Sequence, residues 1–152
     1  MTEIKGDIFF DLLLVEDNEA DFILLREAME ELNFAVHLHG VQDGEEAMKY
    51  LRRQAPYTEA VRPDLIFLDI NMPKINGFGV LADIKRDKYL QGIPVIVLST
   101  SQAEEDISRS YSLQANCYIS KPSSLDEFLS VIKLIGKFWL GTAKLPKHKT
   151  IL

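Results

Sequence analysis

The chain has a single cysteine, Cys117, among 152 residues. No internal disulfide can form, so the fold needs no oxidising compartment, and the reducing cytoplasm is the expected setting. Long apolar runs are also missing. None approaches the ~20 residues needed to span a bilayer. The start, Met1-Thr2-Glu3-Ile4-Lys5-Gly6-Asp7, lacks the apolar stretch of a signal peptide. Positive charge is scarce: 17 Lys and Arg stand against 23 Asp and Glu, for a net charge of −6. A chain of that sign is not expected to wrap nucleic acid. Three of the cations gather at the end. The last twelve residues hold Lys144, Lys147 and Lys149 and no acid, and setting those three charges aside leaves −9 on residues 1–140. An acidic body suits a site that collects divalent cations, and a solvated acidic surface accounts for it as readily.

Apolar residues make up 47% of the chain, the ordinary level for one globular domain with a proper core. They fall into short runs separated by amphipathic stretches. Phe9-Phe10-Asp11-Leu12-Leu13-Leu14-Val15 is too brief for a helix and ends in acids. Leu65-Ile66-Phe67-Leu68 ends at Asp69, and Val95-Ile96-Val97-Leu98 ends at Ser99. Such runs are the signature of strands buried on both faces. Weaker strands fit at 35–40 and 116–120. Between them, Phe22, Leu25, Met29 and Leu32 recur at helical spacing. Further helices fit Glu45 to Arg52, the segment around Val80, Leu81 and Ile84, the segment around Ile107, Tyr111 and Leu113, and residues 124–140. Residues 54–63 read as a polar loop, and the tail from Gly141 onward, with Pro146, as non-helical. Five β-α repeats point to an α/β domain, a doubly wound five-stranded parallel sheet with helices on both faces.

Ligands in such sheets bind outside the carboxyl ends of the strands. The first strand ends in Glu16-Asp17, the third in Asp69 with Asn71 beyond it, the fourth in Ser99-Thr100, and the fifth in Ser120-Lys121-Pro122. Three acids, a hydroxyl and a lysine therefore converge on one rim. Crowded carboxylates repel unless a cation neutralises them. Mg²⁺ takes a few carboxylate oxygens and keeps several waters, which leaves room for a phosphate oxygen. A carboxylate can attack phosphorus to form an aspartyl phosphate. Lys121 and the Ser99 hydroxyl would face the transferred group with positive charge and a hydrogen-bond donor.

The segments Leu14-Val15-Glu16-Asp17-Asn18, Leu68-Asp69-Ile70-Asn71-Met72-Pro73 with Gly77, Leu98-Ser99-Thr100 and Tyr118-Ile119-Ser120-Lys121-Pro122 together resemble the receiver domains of two-component response regulators. The ordered match covers roughly residues 8–140, with 141–152 as a C-terminal tail. The resemblance implies a (βα)5 flavodoxin-like fold with strand order 2-1-3-4-5. It implies that Asp69 accepts a phosphoryl group from a histidine kinase. It implies Mg²⁺, with Mn²⁺ as a substitute, held by Asp17, Asp69 and the backbone carbonyl of Asn71, with Glu16 acting through water. Lys121 would contact the phosphate, with a cis Lys121–Pro122 peptide bond, and Ser99 and Tyr118 would form the switch pair. Ser110 to Pro122, Leu125-Asp126-Glu127-Phe128 and Phe138-Trp139-Leu140 are similar to the small stand-alone regulators paired with cyanobacterial and bacterial phytochrome histidine kinases. The start Asp17-Asn18-Glu19-Ala20-Asp21 and the loop at 54–63 agree.

Two departures bear on the switch. Serine at 99 replaces the commoner threonine and lacks its methyl group, so its hydroxyl rotates more freely. Thr100 stands where many receivers carry a smaller residue and can narrow access to the phosphate. Phosphate on Asp69 would draw the Ser99 hydroxyl, let Tyr118 turn inward and change the surface of the fourth helix, fifth strand and fifth helix. The twelve residues after Leu140 are too few for an output module, so a single domain over 1–152 is expected to signal by protein contacts. The last helix carries one stripe of Leu125, Phe128, Ile132, Ile135 and Trp139 and a second of Val131, Leu134 and Phe138. That arc exceeds what a sheet-facing stripe needs, so a homodimer through Val131, Leu134 and Phe138 is expected. The other reading has the tail, with Leu145, Ile151 and Leu152, folding back over it.

Plainer readings exist for each residue alone. Glu16 and Asp17 could start a helix, Ser99 and Thr100 could cap one, Lys121 could be solvated, and Tyr118 could be a core aromatic. His37 and His39 share a strand face and read as edge residues without a third metal ligand; Cys117 reads as a small strand residue. An aspartyl-phosphate hydrolase would place a second acid two residues after its nucleophile, where this chain has Asn71. A signalling protein is therefore expected rather than an enzyme, with a phosphorylation-independent adaptor as the alternative.

Overall fold

A computed structural model of the chain describes residues 9–72 and 76–146. Pro73 of the Asp69 motif and Lys147, Lys149, Ile151 and Leu152 of the tail lie outside them. The strands are β1 Phe9–Val15, β2 Ala35–Val41, β3 Leu65–Leu68, β4 Val95–Ser99 and β5 Cys117–Ser120. The helices are α1 Glu19–Glu30, α2 Gly44–Leu51, α3 Gly77–Arg86, α4 Glu104–Ser112 and α5 Leu125–Gly136. All the strand pairs are parallel, in the expected order β2-β1-β3-β4-β5.

The three apolar runs become the three central strands, and Leu12, Leu13, Val15, Leu65 to Leu68 and Val95 to Val97 are fully buried. One face of the sheet packs Leu13, Val15, Ile66 and Val97 against α2 and α3, through Met48, Leu51, Leu81 and Ile84. The other packs Leu12, Leu14, Phe67 and Ile96 against α1 and α5, through Leu25, Met29, Phe128 and Ile132. Side chains alternate across a strand, so each run supplies both cores. At about 25 cal/mol per Å² of apolar area, this two-sided burial is the main force holding the site's strand ends in register.

Local signals set the helix starts. Asn18 caps α1 by accepting from the Ala20 and Asp21 amides at 2.9 and 3.2 Å, and Asp43 caps α2 by accepting from the Glu46 amide at 2.8 Å. Asn76 and Ser124 cap α3 and α5 in the same way. Gly136 lets α5 approach α1, because a Cβ there would strike Leu32. The helical periodicity that ran to residue 140 ends at Gly136 and continues as a π-helical segment, Lys137–Thr142. α4 differs from expectation in its packing. Its one fully buried residue is Ser110, while Ile107 is half-buried and Tyr111 exposed.

Candidate functional site

The rim is built by carrying the β ladder slightly past each strand. The Glu16 amide donates to the Val41 carbonyl, the Asp69 amide to Val15 and the Lys121 amide to Ser99, at 3.0, 3.0 and 2.7 Å. These bonds fix the residue that directly follows β1, β3 and β5. Gly77 is needed behind the site, since a Cβ there would collide with the Ile70 Cα and the Asp69 carbonyl.

Glu16, Asp69, Ser99 and Lys121 are all buried polar residues, and Asp17 is exposed at the mouth. One carboxylate oxygen from each of Glu16, Asp17 and Asp69 lies within 4.8 Å of the others. The Asn71 amide donates to Asp69 Oδ1 at 3.0 Å, which fixes that carboxylate. Lys121 reaches the same cluster from the end of β5. Its ammonium is paired with Glu16 Oε1, stands 2.9 Å from Asp21 Oδ2 and 3.7 Å from Asp69 Oδ2. Burial pushes the Glu16 carboxyl up to about 8, ahead of the opposing pull of Lys121, and the Asp69 charge adds to the rise. Burial works against the Lys121 charge, but its bonds to Asp21 and Glu16 and the charge of Asp69 prevail and hold it above the ordinary lysine value. The grouped oxygens of Glu16, Asp17 and Asp69 could hold a divalent cation, and the donor set is all oxygen, as hard cations require.

The hydroxyl side is equally connected. Ser99 Oγ accepts from Asn71 Nδ2 at 3.3 Å and from the Ser101 amide at 3.2 Å. Tyr118 is half-buried, and its hydroxyl donates to the Ser101 carbonyl at 2.8 Å. The Tyr118 amide donates to the Tyr111 hydroxyl on α4 at 3.1 Å. Thr100 is exposed beside Ser99. The Lys121–Pro122 peptide bond is not cis; the cis bond among the described residues is Ala55–Pro56. The trans form is the intrinsic preference of an X–Pro bond.

The structure brings Glu16, Asp17, Asp69, Asn71, Ser99 and Lys121 together at the rim, joins Tyr118 to it through Ser101, and leaves Thr100 exposed beside Ser99. One rim residue was missed. Asp21 lies in the first turn of α1, three residues after the N-cap Asn18, and its carboxylate reaches Lys121 at the end of β5. His37 and His39 are brought elsewhere, each with a ring nitrogen 3.4 Å from Asp11 Oδ1 at the opposite sheet edge. Cys117 is half-buried on β5, where burial raises its thiol above the ordinary cysteine value.

A five-stranded parallel sheet of this order, with an acid pair after β1, an acid after β3 and a lysine after β5, defines a phosphoryl-receiving signalling domain. The chain belongs to the response regulator receiver domain family, whose model matches residues 12–133. Among its relatives is response regulator Rcp1 of Synechocystis sp., 42% identical over 89% of this chain and 92% of the relative. The Mn²⁺-bound form of Rcp1 superposes with a TM-score of 0.88 at 41% identity, over 91% of this chain and 99% of that one. The phosphorylated cyanobacterial phytochrome response regulator RcpA superposes with a TM-score of 0.90 at 48% identity, over 92% of this chain and all of the other. The probable methanogenesis regulatory protein FilR2 of Methanothrix harundinacea is 38% identical over 93% of this chain and 94% of the relative. No helix among the described residues is long and apolar enough to cross a membrane.

Proposed function

We propose that this chain is a stand-alone response regulator in which Asp69 receives a phosphoryl group from a phytochrome-type histidine kinase. The observation that carries the reading is Asp69 itself: a buried carboxylate, one oxygen fixed by the Asn71 amide, the other 3.7 Å from a buried ammonium. In the transfer, an Asp69 oxygen forms the new bond to phosphorus. The bond from phosphorus to the kinase imidazole nitrogen breaks, and that nitrogen keeps the electron pair. Glu16, Asp17, Asp69 and the Asn71 backbone carbonyl would hold Mg²⁺, or Mn²⁺ in its place. Such a cation supplies positive charge against the phosphoryl oxygens. Lys121 adds the second positive charge from the protein side. The likeness to RcpA and Rcp1 supports a phytochrome-type kinase as the donor.

The route outward starts at Ser99. Its hydroxyl now holds the Ser101 amide. Turning that hydroxyl toward a phosphoryl group removes this bond, and Ser101 carries the carbonyl that Tyr118 grips. Tyr118 is already inward and half-buried, so phosphorylation re-sets the Ser101 loop and α4 rather than pulling a solvent-facing ring into the protein. The affected surface is that of α4, β5 and α5.

That surface is also where we place a homodimer. Leu134 is 69% exposed, Leu125 54% and Phe138 51%, beside half-buried Val131. Leu145 packs on the α1–α5 core, yet Leu134 and Phe138 stay open. Titration with beryllofluoride and Mg²⁺, read by Trp139 and Tyr118 fluorescence and by sizing, tests the reading. A saturable response and a dimer that L134E or F138E reduces to monomer are expected. No response in fluorescence would remove the acceptor assignment, and a wild-type monomer at every concentration would remove the dimer.

A further inference from the structure

Lys121 can donate three hydrogen bonds. It spends two of them on Glu16 Oε1 and on Asp21 Oδ2 at 2.9 Å, while the acceptor Asp69 stands off at 3.7 Å, beyond hydrogen-bonding distance. The ammonium thus leans away from the place where a phosphoryl group would form. Its side chain is only 6% exposed, so little water competes for it. Asp21 is outside the three-carboxylate cluster that fits a cation, and its carboxylate is directed at the lysine. Its position is rigid. The Asn18 side chain accepts from both the Ala20 and Asp21 amides, which locks the first turn of α1 and delivers Asp21 to the rim.

The geometry points to Asp21 as a positioning residue that competes with the phosphoryl group for Lys121 and so limits the affinity and lifetime of the phosphorylated state. The inference rests on the Asp69 reading above. In the unphosphorylated protein Asp21 and Glu16 share the ammonium. When Asp69 carries phosphate, the phosphoryl oxygens offer about two negative charges to the same ammonium, and the Asp21 bond must lengthen or break. A regulator with this competitor returns to the resting state more readily than one without it, because the resting state already gives Lys121 two carboxylate partners.

The test is beryllofluoride binding in saturating Mg²⁺, measured on the full chain for wild type, D21N and D21E, with the half-life of the acetyl-phosphate-labelled protein as a second readout. D21N should bind beryllofluoride roughly three- to tenfold more tightly, the range a partly exposed ion pair can supply. Its phosphorylated form should last longer by a similar factor. D21E, which keeps the charge, should return both values toward wild type. The effect should vanish in a K121Q background, because it acts through the lysine. Where K121Q binds too weakly to titrate, the labelled half-life provides the same cycle. Equal or weaker binding by D21N, or an effect that persists without the lysine, would overturn the proposal. A wild-type protein that binds no beryllofluoride would instead overturn the acceptor assignment on which it stands.

Discussion

Both ends of β1 bury a carboxylate, and the two ends could hardly be used more differently. At the amino edge Asp11 lies between His37 Nδ1 and His39 Nε2, each 3.4 Å from the same oxygen, and its amide donates to the Asp64 carboxylate at 2.8 Å. Its partners sit on β2, the neighbouring strand, and just before β3, the neighbour on the other side. At the carboxyl edge Glu16, Asp17, Asp21, Asp69, Ser99 and Lys121 arrive from the ends of β1, β3, β4 and β5 and from α1. A buried acid alone does not make a site. What distinguishes the carboxyl edge is convergence: loops leaving for opposite faces open a crevice at the strand ends. They fill it with four carboxylates, three of which face one ammonium.

Substitutions at the two edges should therefore fail in different ways. The largest loss is expected from G77A, because its Cβ meets the backbone of Asp69 and Ile70, which cannot rotate aside. About 2–3 kcal/mol of stability should go, read by urea unfolding, together with acceptor activity. Unchanged stability would mean that the loop behind Asp69 is far more pliant than its packing implies. Next comes a contrast of opposite signs. D11N loses the charge that faces the two histidines and should cost about 1 kcal/mol while leaving phosphoryl acceptance intact. D69N relieves crowding among carboxylates and should stabilise the cation-free protein by about 1 kcal/mol. A stabilised D11N or a destabilised D69N would erase the distinction between the edges.

The smallest effect is a pH dependence. Without a cation, the folded protein holds the Glu16 proton more tightly than the unfolded chain, whose carboxyl titrates near 4.5. That contribution to stability is complete below 4.5 and is lost as the pH rises through about 8. A divalent cation selects the deprotonated carboxylate, so Mg²⁺ affinity should climb through the same window and binding should release protons. Calorimetry in buffers of different ionisation enthalpy would show it. An affinity flat in pH would mean that Glu16 is already ionised in the cation-free site.

Much of the carboxyl edge was legible because Glu16, Asp69 and Ser99 are each the first polar position after an apolar run, with Asp17 next to Glu16 and Lys121 just past the fifth strand. The strands are buried on both faces, so the runs are long enough to see, and their ends mark the rim. Asp21 was harder to see because its partner is a hundred positions away, and helix spacing alone does not say what a face looks at. The same holds for Asp11: that His37 and His39 share a face follows from strand alternation, but the acid they flank comes from another strand. The spacing of Ile107 and Tyr111 suggested a buried stripe on α4, whereas Tyr111 lies exposed with its hydroxyl on the Tyr118 amide. The cis Lys121–Pro122 bond came from resemblance, and the structure has it trans. Periodicity also could not separate α5 from the π-helical continuation after Gly136, since both keep a helical run of apolar residues.

The most direct measurement is intact-mass labelling with acetyl phosphate in Mg²⁺, wild type beside D69N. The wild-type chain should gain a single phosphoryl group that is lost on removing Mg²⁺ from the labelling reaction, and D69N should gain none. Labelling of D69N equal to wild type would contradict the assignment of Asp69 as the acceptor, whatever the rest of the rim looks like.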